Sequence, residues 1–309
     1  MMNNGPHGLL LLNKKSSITS FDSVNGVRKI LSAKKAGHTG TLDKFATGLL
    51  LVLVGKGVKL APLFESCVKE YTGTVRFGEE TDTLDPEGEI IGTGKVPSIN
   101  DIEAVLDNFR GDILQAPPEY SAIHIKGRRA HELAREGIKV EMKKRPVTIH
   151  ELKILSWSEP EAEILVRCSA GTYIRSLARD MALAAGSRAY LSALKRTKAG
   201  CFSLEDSVTN NGNPDELTKA LLPLDRKIFE TLGLPLFFID QCAAEQFAHG
   251  GSLERILAGS TFSAPSEITA GTQAGVFLKK NGDGCFDELL GTLEYLNGKW
   301  SYRNVFAGH

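Results

Sequence analysis

Apolar and polar positions alternate most regularly at residues 69–78, where Tyr71, Gly73, Val75 and Phe77 fall on one side, the pattern of a half-buried strand. Two stretches are continuously apolar: the four leucines at 9–12, within a strand expected over residues 8–13, and residues 49–54. Each is short enough to be a strand buried on both faces and far too short to span a bilayer. Between them the period changes. Ser20 reads as the N-cap of a helix to about residue 31, with Val24, Val27 and Leu31 on one face. Residues 36–43 form a Gly-punctuated polar loop. Asp85, Pro86, Glu87 and Gly88 carry turn chemistry, with Pro second and Gly fourth. Ser98 caps a helix whose stripe is Ile102, Val105, Leu106 and Phe109. Pro117 and Pro118 break the chain before a short strand at 121–125 and a basic helix at 128–135. Residues 147–157 and 161–169 read as an antiparallel pair, followed by a helix at 173–185 closed by Gly186.

Strands and helices do not alternate regularly, which predicts an α+β fold with a mixed, largely antiparallel sheet rather than a doubly wound one. Around residues 222–235 the chain becomes Pro-punctuated, and short strands with a Gly250-Gly251 turn predict a small β-rich module beyond it. The expected division is 1–232 and 233–309.

Composition adds little to the fold but narrows the function. At 42% hydrophobic and 24% charged, the 309 residues have ordinary globular composition. No basic segment precedes the leucines at 9–12 and no cleavage site follows, so a buried strand is expected there rather than a leader. Cys67, Cys168, Cys201, Cys242 and Cys285 are scattered and odd in number, which predicts neither a disulfide framework nor a metal site, and a cytoplasmic setting. Net charge is zero, but residues 13–44 hold seven Lys/Arg against two Asp. Residues 124–145 hold eight against three, and 188–198 four against none. These runs read either as solvated faces or as a focused phosphate-binding surface. From residue 236 on, eight acidic residues outnumber five basic ones.

The candidate chemistry lies in Gly37-His38-Thr39-Gly40-Thr41-Leu42-Asp43. Glycines in a loop permit close approach of a ligand, and a carboxylate there is placed for nucleophilic or base work. Spacing alone favours a local Asx-turn over that role for Asp43. No G-K-[ST] follows, so this is not a phosphate-binding P-loop.

Residues 37–50, GHTGTLDKFATGLL, resemble the catalytic motif of the bacterial tRNA pseudouridine synthase B family. The resemblance continues through Lys69-Glu70-Tyr71, Thr81-Asp82-Thr83, Gln115-Ala116-Pro117-Pro118, Tyr120-Ser121-Ala122 and Ala134-Arg135-Glu136-Gly137. It extends to Gly171-Thr172-Tyr173-Ile174-Arg175 and Leu194-Lys195-Arg196, in order from about residue 8 to 224. Four positions depart: Lys44 and Phe45 replace the family's Pro and Leu, and in Lys14-Lys15-Ser16-Ser17, Lys15 and Ser17 replace the Pro and Gly of a Lys-Pro-x-Gly turn.

The resemblance implies a sheet of the pseudouridine synthase type and a PUA-like C-terminal domain. It implies isomerisation of uridine 55 in the T loop of tRNA, with no cofactor and no metal, by a monomer without a membrane partner. Asp43, Arg175 and Tyr71 are the implied catalytic residues, with Arg175 favouring the ionised Asp43. His38, Tyr71, Tyr173, Leu194, Lys14 and Lys44 are the residues expected to meet the RNA, Lys44 through a phosphate. Competing readings are a noncatalytic tRNA-folding protein and the catalytic subunit of a guide-RNA particle.

Overall fold

The computed structural model describes residues 5–121, 123–125, 127–138, 142–264, 267–279 and 288–306; Ala122 and Cys285 lie outside them. Its spine is a mixed sheet in which the path runs Gly8–Lys14, Thr47–Val54, Ala189–Ala199, Lys69–Phe77, Glu161–Cys168, Arg145–Ser158 and Gly111–Gln115. Neighbours are antiparallel except Thr47–Val54 beside Ala189–Ala199, which run parallel through Lys195↔Thr47 and Arg196↔Gly48. That crossing is tight: a Cβ on Gly48 would stand 2.4 Å from the Arg196 carbonyl oxygen, and Gly48 itself has φ +100°. Only glycine fits.

The uniformly apolar strands are buried on both faces. Leu10, Leu12, Leu50 and Val52 pack with Val24 and Val27 of the helix Ser20–Ile30 and with Leu177 and Met181 of Ile174–Ala184. Leu9, Leu11, Leu49, Leu51 and Leu53 face the other way, onto Phe64, Phe202, Ile228 and Phe229 and onto Leu236, Phe277 and Phe306. The last three belong to the C-terminal segment, whose five-stranded sheet has its own core around Phe237, Phe247, Val276 and Leu293. The packing gives this segment a structural task, covering the leucines of the strand that leads out of the Asp43 loop. Phe277 meets Phe229 edge-on with centroids 5.3 Å apart. Phe277→Ala should therefore cost about 3–5 kcal/mol in denaturant unfolding. Wild-type stability in that variant would show that the two sheets hold together without this contact.

Several expectations shift by a few residues. Thr19, not Ser20, caps the first helix, its hydroxyl accepting from the Asp22 amide at 3.0 Å. Residues 36–39 are not loop: Ala36–Thr39 pairs antiparallel with Thr47–Val54, because a short polar segment can complete the edge of a leucine-rich strand through its backbone. Arg128 and Arg129 pair with His124 and Ile125 in a two-residue hairpin, so the helix begins only at Ala130.

Candidate active site

The turn joining Ala36–Thr39 to Thr47–Val54 is anchored at nearly every carbonyl. Arg196 donates from Nη2 to the Gly40 carbonyl (3.1 Å) and from Nε to that of Leu49 (2.7 Å). Ser20 Oγ donates to the Leu42 carbonyl and accepts the Leu42 amide, both at 2.9 Å. Ser16 Oγ reaches the Phe45 carbonyl at 2.9 Å. Lys14 Nζ donates to the carbonyls of Ala46 (2.6 Å), Lys15 (3.0 Å) and Lys44 (3.3 Å). A loop fixed at this many points presents the Asp43 side chain in one position, at small reorganisation cost.

That side chain does not close an Asx-turn. Asp43 Oδ1 accepts from Arg175 Nη2 at 3.0 Å. Arg175 is almost wholly buried and also donates to Asp85 Oδ2 (3.1 Å) and to the carbonyls of Thr83 (2.7 Å) and Tyr120 (3.0 Å). Asp85 is buried too, its Oδ1 accepting from Thr83 Oγ1 (2.6 Å) and the Glu87 amide (3.0 Å). Leu84, just before it, has φ +60°, a conformation costly for a branched side chain. Bonds from the Leu84 amide to the Thr81 carbonyl and from the Leu191 amide to the Leu84 carbonyl hold it there.

One guanidinium thus serves two carboxylates. Arg175 does pull the Asp43 pKa down, but burial of the carboxyl pushes it up by more, and repulsion from Asp85 adds to the rise. The net direction is upward. Asp43 nonetheless keeps 35% of its side chain exposed, against 5% for Arg175 and 7% for Asp85, so of the three it faces the opening.

Residues 28–174 match the N-terminal domain of TruB family pseudouridylate synthases. Over 204 residues the chain is 48% identical to tRNA pseudouridine synthase B of Borreliella burgdorferi (strain ZS7), covering 65% of this chain and 72% of that protein. Over 258 residues it is 40% identical to the Syntrophomonas wolfei protein of the same name, covering 81% and 85%. The chain belongs to the TruB family. Among solved structures, it superposes on a chain of a Cbf5–Nop10–Gar1 complex with a TM-score of 0.69 at 25% identity, covering 96% of this chain and 82% of that one.

In this TruB-family chain the other expected site residues divide into two groups. Tyr71 and Leu194 are buried in the same core as Leu42 and Ile174, and both Tyr71 and Tyr173 feel the charge of Asp43. Burial pushes the Tyr71 phenol up, partly offset by Arg196. Tyr173 starts the helix that carries Arg175, its amide bonded to Gln115 Oε1 (2.8 Å) and its carbonyl to Gln115 Nε2 (3.1 Å). His38 is half-buried on its strand; burial and then Arg196 lower its pKa, which favours the neutral ring. Of the two lysines, Lys14 is placed differently from expectation. Lys44 is exposed but paired with Glu87 at 3.1 Å, on the turn that holds Asp85. Lys14 is 1% exposed, and burial lowers its ammonium to about 8 against the pull of Asp43 and Glu87. It braces the loop from within and does not face solvent. Lys14→Met should therefore lower kcat more than it raises KM and leave the salt dependence of RNA binding unchanged. A shallower salt slope would place the ammonium on a phosphate instead.

Asp85, Arg196 and Gln115 complete the arrangement, and none was singled out from sequence as a site residue. Arg196 and Gln115 did fall within quoted family motifs. Asp85 was visible only as the first residue of a turn.

Proposed function

We propose that this protein isomerises uridine 55 in the T loop of tRNA to pseudouridine, acting alone and without a cofactor. The observation that carries the reading is the Asp43 carboxylate, exposed at the mouth of a buried Arg175–Asp85 network on an anchored loop, in a chain of this family. The reaction breaks the N1–C1′ bond, turns the base and joins C5 to C1′; a proton leaves C5 and N1 gains one. No net oxidation or hydrolysis occurs. Asp43 supplies the negative charge beside C1′, and Tyr71, a neutral phenol in the buried wall, handles a proton. The target base must leave its stack to reach Asp43, which costs a few kcal/mol. Tyr71 and Tyr173 stack on the flipped base, Leu194 closes the floor, and His38 fills the space vacated in the RNA loop. Lys44 leaves Glu87 for a flanking phosphate when RNA arrives.

In this reading residues 1–232 are the catalytic domain and 233–309 a PUA-like domain, and the enzyme is a cytoplasmic monomer. No described helix is long and apolar enough to cross a membrane. The likeness to the Cbf5 complex raises a second reading, a subunit that needs partner proteins and a guide RNA. The relatives at 40–48% identity, named tRNA pseudouridine synthase B, favour the first. Pseudouridine formed at position 55 of a tRNA transcript by the purified chain alone supports it; a requirement for added guide RNA refutes it.

Because Asp43 must be ionised, the single-turnover rate should rise with pH through an ionisation above the ordinary 3.8. Asp85→Asn removes the repelling charge and leaves Arg175 to Asp43, so in that variant the midpoint should move to lower pH. A midpoint that stays fixed or rises would show that Asp85 does not set the Asp43 ionisation.

A further inference from the structure

Phe21 is 69% exposed, a large apolar side chain left in water at the start of the helix Ser20–Ile30. The residue before it, Ser20, is bonded to both the amide and the carbonyl of Leu42, next to Asp43. Ser16 and Ser17 bond the carbonyls of Phe45 and Lys44. Phe21 is thus fixed to the same segment that fixes the catalytic loop. The buried stripe of this helix is Ser20, Ser23, Val24 and Val27. At 100° per residue, Phe21 lies on its flank with Asn25 and Arg28, at spacings of four and seven residues. Arg28 Nε donates to Asn25 Oδ1 at 3.4 Å, so amide and guanidinium are held together beside the ring. Lys15, Lys29, Lys34 and Lys35 are exposed on the same stretch, with Asp22 the one acid between residues 14 and 42.

We propose that Phe21 is a stacking platform for a base of the substrate RNA other than the flipped uridine, with Arg28 and Lys29 on the adjoining phosphates. An aromatic face beside a run of cations with a single acid among them suits an RNA strand: the ring takes a base and the cations take the backbone. A protein partner of apolar character would not gain from the cations. The inference rests on the RNA-substrate reading above and adds a second contact point outside the reaction centre.

The test measures retention of a tRNA transcript on filters by wild type, Phe21→Ala, Phe21→Trp and Arg28→Ala/Lys29→Ala across a salt series. Phe21→Ala should weaken binding about tenfold at every salt concentration, the scale of one base–aromatic stack. Phe21→Trp should bind as wild type does, and its added indole emission should be quenched by RNA. The double variant should instead flatten the salt dependence by about 0.7 per phosphate lost. Wild-type affinity in Phe21→Ala, with no quenching in Phe21→Trp, overturns the inference alone. So does a concentration-dependent dimer of wild type that Phe21→Ala abolishes while tRNA affinity stays intact. A wild-type protein that retains no tRNA overturns the substrate reading itself.

Discussion

Asp43→Asn protein should form no detectable pseudouridine, a loss of at least about 10³-fold or roughly 4 kcal/mol of transition-state stabilisation, and should melt no lower than wild type. The stability half follows from the direction of the Asp43 pKa. Its folded value is raised above the unfolded one, so the fold disfavours the ionised form. Stability from this group is present at low pH and falls as pH rises from the unfolded pKa through the folded one. At neutral pH wild type carries that cost and the amide does not. Arg175 is not left unpaired, because Asp85 and the carbonyls of Thr83 and Tyr120 still hold it. RNA binding should persist, since the surfaces that supply it are untouched. Thermal melting, filter retention and single-turnover product together check this, and a variant that melts well below wild type would mean that Asp43 is structural.

Replacing Arg175 should be the most damaging change in the site. Arg175→Met leaves Asp85 buried without its cation, and breaking a buried pair in this way costs about 3–5 kcal/mol. Activity should be lost with it, because Arg175 supplies most of the charge that offsets the burial of Asp43, ahead of Lys14. Arg175→Lys keeps the charge but loses the planar fork that reaches two carboxylates at once, so its rate should lie between wild type and Asp43→Asn. The pair acts as a unit, and the Asp43→Asn/Arg175→Lys double variant should be scarcely slower than Asp43→Asn. Urea unfolding and single-turnover rates measure both effects. Additive rate losses would show that Arg175 works on the RNA independently of Asp43.

The parts of the fold legible in the sequence were those with local causes. The alternation from Lys69 to Phe77 and the helix cap at Ser98 are short-range patterns, and the structure follows them. Asp43 was legible through its motif, whereas its spacing alone favoured an Asx-turn. What escaped was charge that the fold turns inward. Arg196 read as part of a basic run at 188–198, yet it is 1% exposed, and in the same run Arg188 pairs with Glu80 at 2.6 Å. Lys14 and Asp85 escaped for the same reason. A lysine looks like surface and D-P-E-G looks like a turn until contacts 32 and 90 residues apart bring Ala46 and Arg175 to them. Sequence patterns carry no sign of such distant partners, so buried charge is the feature a single chain conceals most.

The central claim is that Asp43 performs the isomerisation of a tRNA uridine, and release of tritium from C5 of uridine in a labelled tRNA transcript tests it most directly. With purified protein in single turnover and the modified position mapped, wild type should release one equivalent at position 55 and Asp43→Asn none. Appreciable release by Asp43→Asn protein free of wild type would contradict the account.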